Sequence, residues 1–228
     1  MLIIGHRGAA GHAPENTMSS FEAAFKAGAD MIELDVRLTA DNRLVVIHDS
    51  RLLRTHHLRD LVANVTYERL CELTVDRPVP LLEEILDIYF GRILLNIELK
   101  SRGSGEQLVR LLKKRYITKA SDWDKVIVSS FRGRELVQVR QLAKRANLAL
   151  LHSENPFIFV AYHRFINLTA VGFHRLYLNR LALEIARRAG IFIYVYTVDR
   201  PGALRHLEEK GVQGVVTNYP DKLIAATE

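Results

Sequence analysis

The residue types needed for phosphoryl or other acid–base chemistry occur in four separated segments: His6-Arg7, Glu33 with Asp35, His48, and Glu98 with Lys100. Side chains on a strand alternate between faces, so residues two apart point the same way. Glu33 and Asp35 therefore share a face, as do Asn96, Glu98 and Lys100. Three carboxylates gathered without matching cations repel one another and raise their own pKa values, and a bound divalent ion removes that cost. Ligation by oxygen alone favours one hard cation, Mg²⁺ or Ca²⁺, over zinc. Salt bridges to Arg7, Arg37 or Lys100 are the other use to which the same acids can be put. His6 and His48 are the natural acid–base pair, because imidazole titrates near neutrality. Arg7 and Lys100 have the charge to hold phosphate oxygens, one through a planar fork and the other as a point charge.

These segments must be brought together by their elements. Short β-branched runs at 2–5, 31–36, 44–48, 93–98, 126–130, 148–151, 169–173, 191–196 and 213–217 alternate with stretches of helical period. The run at 44–48 follows its predecessor too closely for a parallel crossover and must return as a hairpin, with Asp41 and Asn42 in the turn. Eight parallel strands remain, the number that closes a barrel filled by its own side chains. The expected fold is a (β/α)₈ TIM barrel, with a doubly wound open sheet as the alternative. In a barrel the strand ends that carry the candidate residues share one rim, where active sites are built. Thr17 is expected to cap a helix, Pro80 to open another with Leu82, Ile85 and Leu86 on its apolar stripe, and Gly190 and Gly211 to close two more. Residues 50–75 read as a small insertion after the hairpin, holding His56, His57 and a helical stretch from Tyr67 to Leu73.

The chain has 228 residues, the size of one barrel domain spanning 1–228. Cys71 is the only cysteine, which excludes an intrachain disulfide. No apolar run reaches membrane-spanning length, and the N-terminal apolar stretch stops at Ile4. A cytoplasmic protein without stable membrane insertion is expected; its oligomeric state is left open. The net charge of +6 is spread over helix faces with no continuous basic stripe, so nucleic acid is not an expected partner. His12, His56, His57, His152, His163 and His206 lack companions at metal spacing and read as surface or loop residues, whereas His174, after an apolar strand, is a candidate for substrate contact. Ser129, Ser130 and Cys71 lack the neighbours of an activated nucleophile.

The segments His6-Arg7-Gly8, Pro14-Glu15-Asn16-Thr17, Glu33-Leu34-Asp35-Val36, Val46-Ile47-His48-Asp49 and Glu98-Leu99-Lys100 stand in an order and spacing that resembles the glycerophosphodiester phosphodiesterase family. Ser129-Ser130-Phe131, Tyr196-Thr197-Val198-Asp199 and Gly211 to Pro220 extend the resemblance over nearly the whole chain. It implies a calcium- or magnesium-dependent enzyme that takes a small glycerophosphodiester to an alcohol and sn-glycerol 3-phosphate. By the same resemblance Glu33, Asp35 and Glu98 are metal ligands, His6 and His48 the acid–base pair, and Arg7 and Lys100 phosphate-binding residues, with Tyr196 beside the substrate alcohol. Glu15 and Asn16 would order the first rim loop. Asn42, Tyr196, Gln213 and Asn218 depart from or vary within the family's pattern, and none of them is expected to touch the chemistry. Similar barrels act on lysophospholipids, for which Leu52, Leu53, Leu58, Leu61 and Val62 of the insertion offer an apolar approach; a catalytically silent binding barrel is the other alternative.

Overall fold

The computed structural model describes residues 1–152 and 155–227. Its strands are β1 Leu2–Gly5, β2 Met31–Leu38, β3 Leu44–Val46, β4 Leu94–Leu99, β5 Val126–Ser130, β6 Asn147–His152, β7 Ala170–His174, β8 Phe192–Tyr196 and β9 Gly214–Thr217. All but β3 are parallel and follow one another around a ring that closes where β1 meets both β2 and β9. This is the expected (β/α)₈ barrel, and the open sheet is excluded by that closure. β3 lies antiparallel on β2, with Val36 opposite Val46 and Leu38 opposite Leu44. The hairpin turn holds Asn42 at φ 59°, a left-handed conformation that asparagine tolerates. The run expected to reach residue 48 is regular only to Val46; beyond it the Arg37 Nε donates to the His48 carbonyl at 2.7 Å and the chain turns into the insertion.

The helices are α1 Met18–Lys26, α2 Leu53–His56, α3 Tyr67–Leu73, α4 Leu82–Tyr89, α5 Ser104–Arg115, α6 Gly133–Leu142, α7 Ile158–Ile166, α8 Arg180–Arg188, α9 Leu204–Glu209 and α10 Pro220–Ile224. Thr17 caps α1 by accepting the Ser20 N–H at 3.3 Å. The helix expected at Pro80 begins two residues later, where the Glu84 side chain takes the Leu81 N–H at 3.1 Å. Gly190 and Gly211, both at positive φ, turn the chain out of α8 and α9 toward the next strands.

Strand alternation divides the apolar side chains into two layers. Ile4, Met31, Ala149, Leu151, Ala170, Tyr194 and Val216 fill the barrel interior. Ile32, Leu34, Val128, Phe173 and Val195 point outward and pack under Phe21, Leu86, Leu112, Leu136, Phe159 and Leu183 of the helices. Val45, Ile47, Leu52, Val62, Leu70, Val79 and Leu81 form a third cluster that fastens the insertion to the hairpin. Leu52 and Val62 are thus interior side chains, and of the five apolar insertion residues only Leu53 is exposed. The apolar approach offered as an alternative is thus reduced, because Leu52, Val62 and Leu58 are taken up in packing the insertion itself.

Candidate active site

β2 and β4 set the acids. Their register puts Glu33 beside Asn96 and Asp35 beside Glu98, all on the inner face at the C-terminal end of the barrel. One carboxylate oxygen from each of Glu33, Asp35 and Glu98 lies within 4.8 Å of the others, and all three residues are buried. Burial, together with Asp35 and Glu98 close by, pushes Glu33 well above the usual carboxylate range. Burial and Asp35 likewise push Glu98 up to about 7, against the pull of Lys100. Asp35 behaves differently. Burial would raise it too, but the Lys100 ammonium and the Arg7 guanidinium outweigh burial and hold it at about 2.

The cations come from the strand ends next to the acids. Arg7 Nε stands 3.1 Å from Asp35, and Lys100 Nζ stands 3.2 Å from Asp35 and 2.6 Å from Glu98. Glu33 has no such partner among the described residues; it accepts the backbone N–H of Arg7 at 2.9 Å. Arg7 makes that contact with φ at 52°, a conformation costly for a residue with a Cβ. Gly8 then continues at φ +84°, where a Cβ would lie 2.5 Å from the Ser20 backbone. Asn16, also left-handed, clasps Asp35 from the other side: its Nδ2 donates to the carboxylate at 2.9 Å and its Oδ1 accepts the Asp35 N–H at 3.2 Å. The expected ordering role of Glu15 is visible in its ion pairs with Arg7 at 2.9 Å and with Arg54.

Both candidate imidazoles are oriented through Nδ1. The Asp199 carboxylate can only accept, and it takes the Asn218 Nδ2–H at 2.9 Å and the Asn218 backbone N–H at 2.8 Å. Asn218 Oδ1 is thereby left facing His6 Nδ1 at 2.7 Å, which puts the proton on Nδ1 and leaves Nε2 as the acceptor. Asn218, not expected to touch the chemistry, is a direct partner of His6. His48 Nδ1 meets Asp49 Oδ1 at 2.6 Å, and Asp49 is fixed in turn by Arg54 Nε at 2.6 Å. Burial and the Arg7 charge lower His6, while burial outweighs Asp35 and Asp49 to lower His48. Each ring is therefore held toward its neutral form.

His6, Glu33, Asn96, Glu98, Ser129, Phe131, Tyr194 and Tyr196 line one small cavity of about 40 Å³. Tyr196 closes its edge, with its ring 6.0 Å from Phe131 and its hydroxyl donating to the His152 carbonyl at 2.8 Å. His174 is on the rim with its ring 5.7 Å from Tyr196, at the margin of the acids rather than among them. His152 corrects the surface reading. It is 5% exposed, its ring packs edge-on against Phe173 at 4.6 Å, and burial drives its pKa down to about 4. The other partners that sequence reasoning missed are Arg54 and Asp199. Asp199 stood inside a quoted motif, but Arg54 carried no signal.

The fold and the rim define a (β/α)₈ protein whose acids, imidazoles and cations converge at the C-terminal end of the barrel. The chain belongs to the glycerophosphoryl diester phosphodiesterase family, whose family model matches residues 6–222. A glycerophosphodiester phosphodiesterase of Bacillus altitudinis is 33% identical, covering 99% of this chain and 98% of its own length. That of Caldanaerobacter subterraneus subsp. tengcongensis is 31% identical, covering 98% of this chain and 96% of its own. Among solved structures, the Thermotoga maritima glycerophosphodiester phosphodiesterase superposes with a TM-score of 0.85 at 27% identity, over 99% of this chain and 97% of that one. An Oleispira antarctica phosphodiesterase, solved in complex with the product sn-glycerol-3-phosphate, shares the fold at a TM-score of 0.88 and 23% identity, over 100% of this chain and 96% of that one.

Proposed function

We propose that this chain, acting as one domain over residues 1–228, hydrolyses glycerophosphodiesters to an alcohol and sn-glycerol 3-phosphate. The observation that carries the reading is the convergence of three buried carboxylates beside two imidazoles whose Nδ1 atoms are already engaged. Family membership and the activity named for the relatives support it.

The donor set fits a hard divalent cation, Mg²⁺ or Ca²⁺: Glu33, Asp35 and Glu98 offer only oxygens, and Glu33 has no cation side chain paired with it among the described residues. Such an ion, when bound, supplies positive charge that favours negative charge on the phosphate oxygens. Arg7 and Lys100 hold the non-bridging oxygens, Tyr196 and His174 flank the alcohol, and the imidazoles move the protons. The glycerol hydroxyl next to the phosphoester attacks phosphorus, gaining several kcal/mol from proximity. Its proton passes to Nε2 of one histidine. The bond from phosphorus to the alcohol oxygen breaks, and the other histidine, which must first take a proton from solvent against its lowered pKa, gives that oxygen its proton. A cyclic 1,2-phosphate results. Water then opens it with the two histidines in exchanged roles, which restores the starting protonation. The single Cys71 and the absence of a span-length apolar run support a cytoplasmic setting.

The test is turnover of glycerophosphocholine with Mg²⁺ or Ca²⁺, beside a 2-deoxy analogue that lacks the attacking hydroxyl. The parent should be cleaved and the analogue should bind without being cleaved. Comparable cleavage of both would replace the internal nucleophile with water, and no cleavage of either would leave a silent barrel.

A further inference from the structure

The rim from β5 to β7 ends in exposed apolar side chains. Phe131 follows β5, Phe157 and Ile158 follow β6, and Leu176 and Tyr177 follow β7; Leu176 is 74% exposed. These strands are neighbours in the barrel, so their loops form one arc. The arc is continuous with the site. Lys100 Nζ lies 5.6 Å from the centre of the Phe131 ring, Phe131 lies 6.0 Å from Tyr196, Tyr196 5.7 Å from His174, and His174 5.5 Å from Tyr177. Large apolar groups clustered on one exposed face mark a surface that meets something less polar than water.

Charge narrows what that is. Arg132 and Arg175 are exposed next to Phe131 and Leu176, and Arg180 is exposed at the start of α8. From Ser153 to Leu183 the sequence carries one acid, Glu154, against Arg164, Arg175 and Arg180. The acid that follows β8, Asp199, is taken up by Thr217 and Asn218. A twofold dimer through this face would set the same patch against itself, with Arg132, Arg175 and Arg180 each facing a patch that carries the same charges. Aromatic and aliphatic tips flanked by arginine suit the interface of an anionic bilayer, where rings sit at headgroup depth and each basic residue adds attraction.

We propose that the β5–β7 rim docks peripherally on membranes rich in anionic lipid, holding the mouth of the site over the headgroups. The inference rests on reading this rim as the catalytic face, but it concerns where the protein sits and not which diester it cleaves. The experiment is co-sedimentation of the full chain with vesicles of phosphatidylcholine alone or with phosphatidylglycerol added, at low and high salt. The comparison protein is the double variant Arg175→Ser/Leu176→Ser, with turnover of soluble glycerophosphocholine measured on both. The wild type should bind the phosphatidylglycerol vesicles and be released by salt. The variant should bind at least about fivefold more weakly, the effect of one basic residue near an anionic surface, with soluble turnover unchanged. Equal binding by both proteins, no binding to any vesicle, or a dimer in solution that the variant abolishes would each overturn the proposal. A protein that binds vesicles but turns over no soluble diester would instead refute the catalytic reading and leave the docking surface standing.

Discussion

On the side of the rim built by β1, β2 and β4, the inward residues are His6, Glu33, Asp35, Glu98 and Lys100, whereas β5 to β8 end in Phe131, His174 and Tyr196. The charged side is cross-linked: His48, Asp49, Arg54, Glu15, Arg7 and Asp35 form one chain of hydrogen bonds and ion pairs. The aromatic side is held mostly by ring contacts, with side-chain hydrogen bonds from the Tyr196 hydroxyl to the His152 carbonyl and from the Leu176 N–H to His174 Nδ1. The two sides divide the labour. Fixed charges act strongly only where water is kept away, and the rings opposite lower the local polarity in which those charges act.

If the charged side carries the reaction, removing its cation should have the largest effect. Exhaustive chelation should abolish turnover, and Mg²⁺ or Ca²⁺ should restore it; full activity in stripped protein would end the metal assignment. Next come the imidazoles. His6→Ala or His48→Ala should lower kcat by about 10²-fold or more with the fold retained by circular dichroism. A variant with near-normal kcat would drop that histidine from the mechanism. The support of His6 should matter less. Asn218→Ala leaves the ring without its acceptor and should reduce kcat about tenfold, the effect of one lost buried hydrogen bond, while divalent-ion affinity measured calorimetrically stays the same.

A pH dependence sets the acids against the imidazoles, because burial raises Glu98 and lowers His6, His48 and His152. Glu98 is raised to about 7, so between its unfolded pKa and that value the folded, metal-free protein holds a proton that the unfolded chain has lost. Its contribution to stability is therefore largest at low pH and falls as pH rises toward 7. In the metal-free protein the melting temperature of the wild type relative to Glu98→Gln should fall as pH rises toward 7, and a divalent ion should offset that fall most at the higher pH; a difference that stays constant over this window would contradict the raised value. The smallest effect belongs to the aromatic side. Phe131→Ala should change kcat on a small soluble diester by no more than about twofold, as for a substitution worth a few tenths of a kcal/mol. A hundredfold loss would erase the division between the two sides.

Strand alternation made the acids legible, since Glu33 and Asp35 must share a face once β2 is a strand, and the barrel count then places both near His6. The partner of His6 was not legible in that way. Asn218 is separated from it by 212 residues, and only closure of β1 on β9, with Gly5 beside Thr217, sets the two residues at the same level. His152 was misread because it occupies the outward position after the inward Leu151, where an imidazole replaces the usual apolar residue and is sealed by Phe173. The insertion leucines were ambiguous for a general reason. An apolar side chain in an irregular segment looks the same in sequence whether it packs inward or faces a ligand.

The contact between His6 and Asn218 also orders events during synthesis. By the time Lys100 has been added, the growing chain already contains every acid, cation and proton-transferring imidazole proposed for the reaction. Its first histidine has no acceptor for Nδ1 until the ribosome delivers residue 218, and β1 has only one of its two neighbours until β9 arrives. Competence therefore comes last, at the point where the final strand joins the first, and a chain cut short just before it would carry the whole catalytic inventory in an unfinished ring.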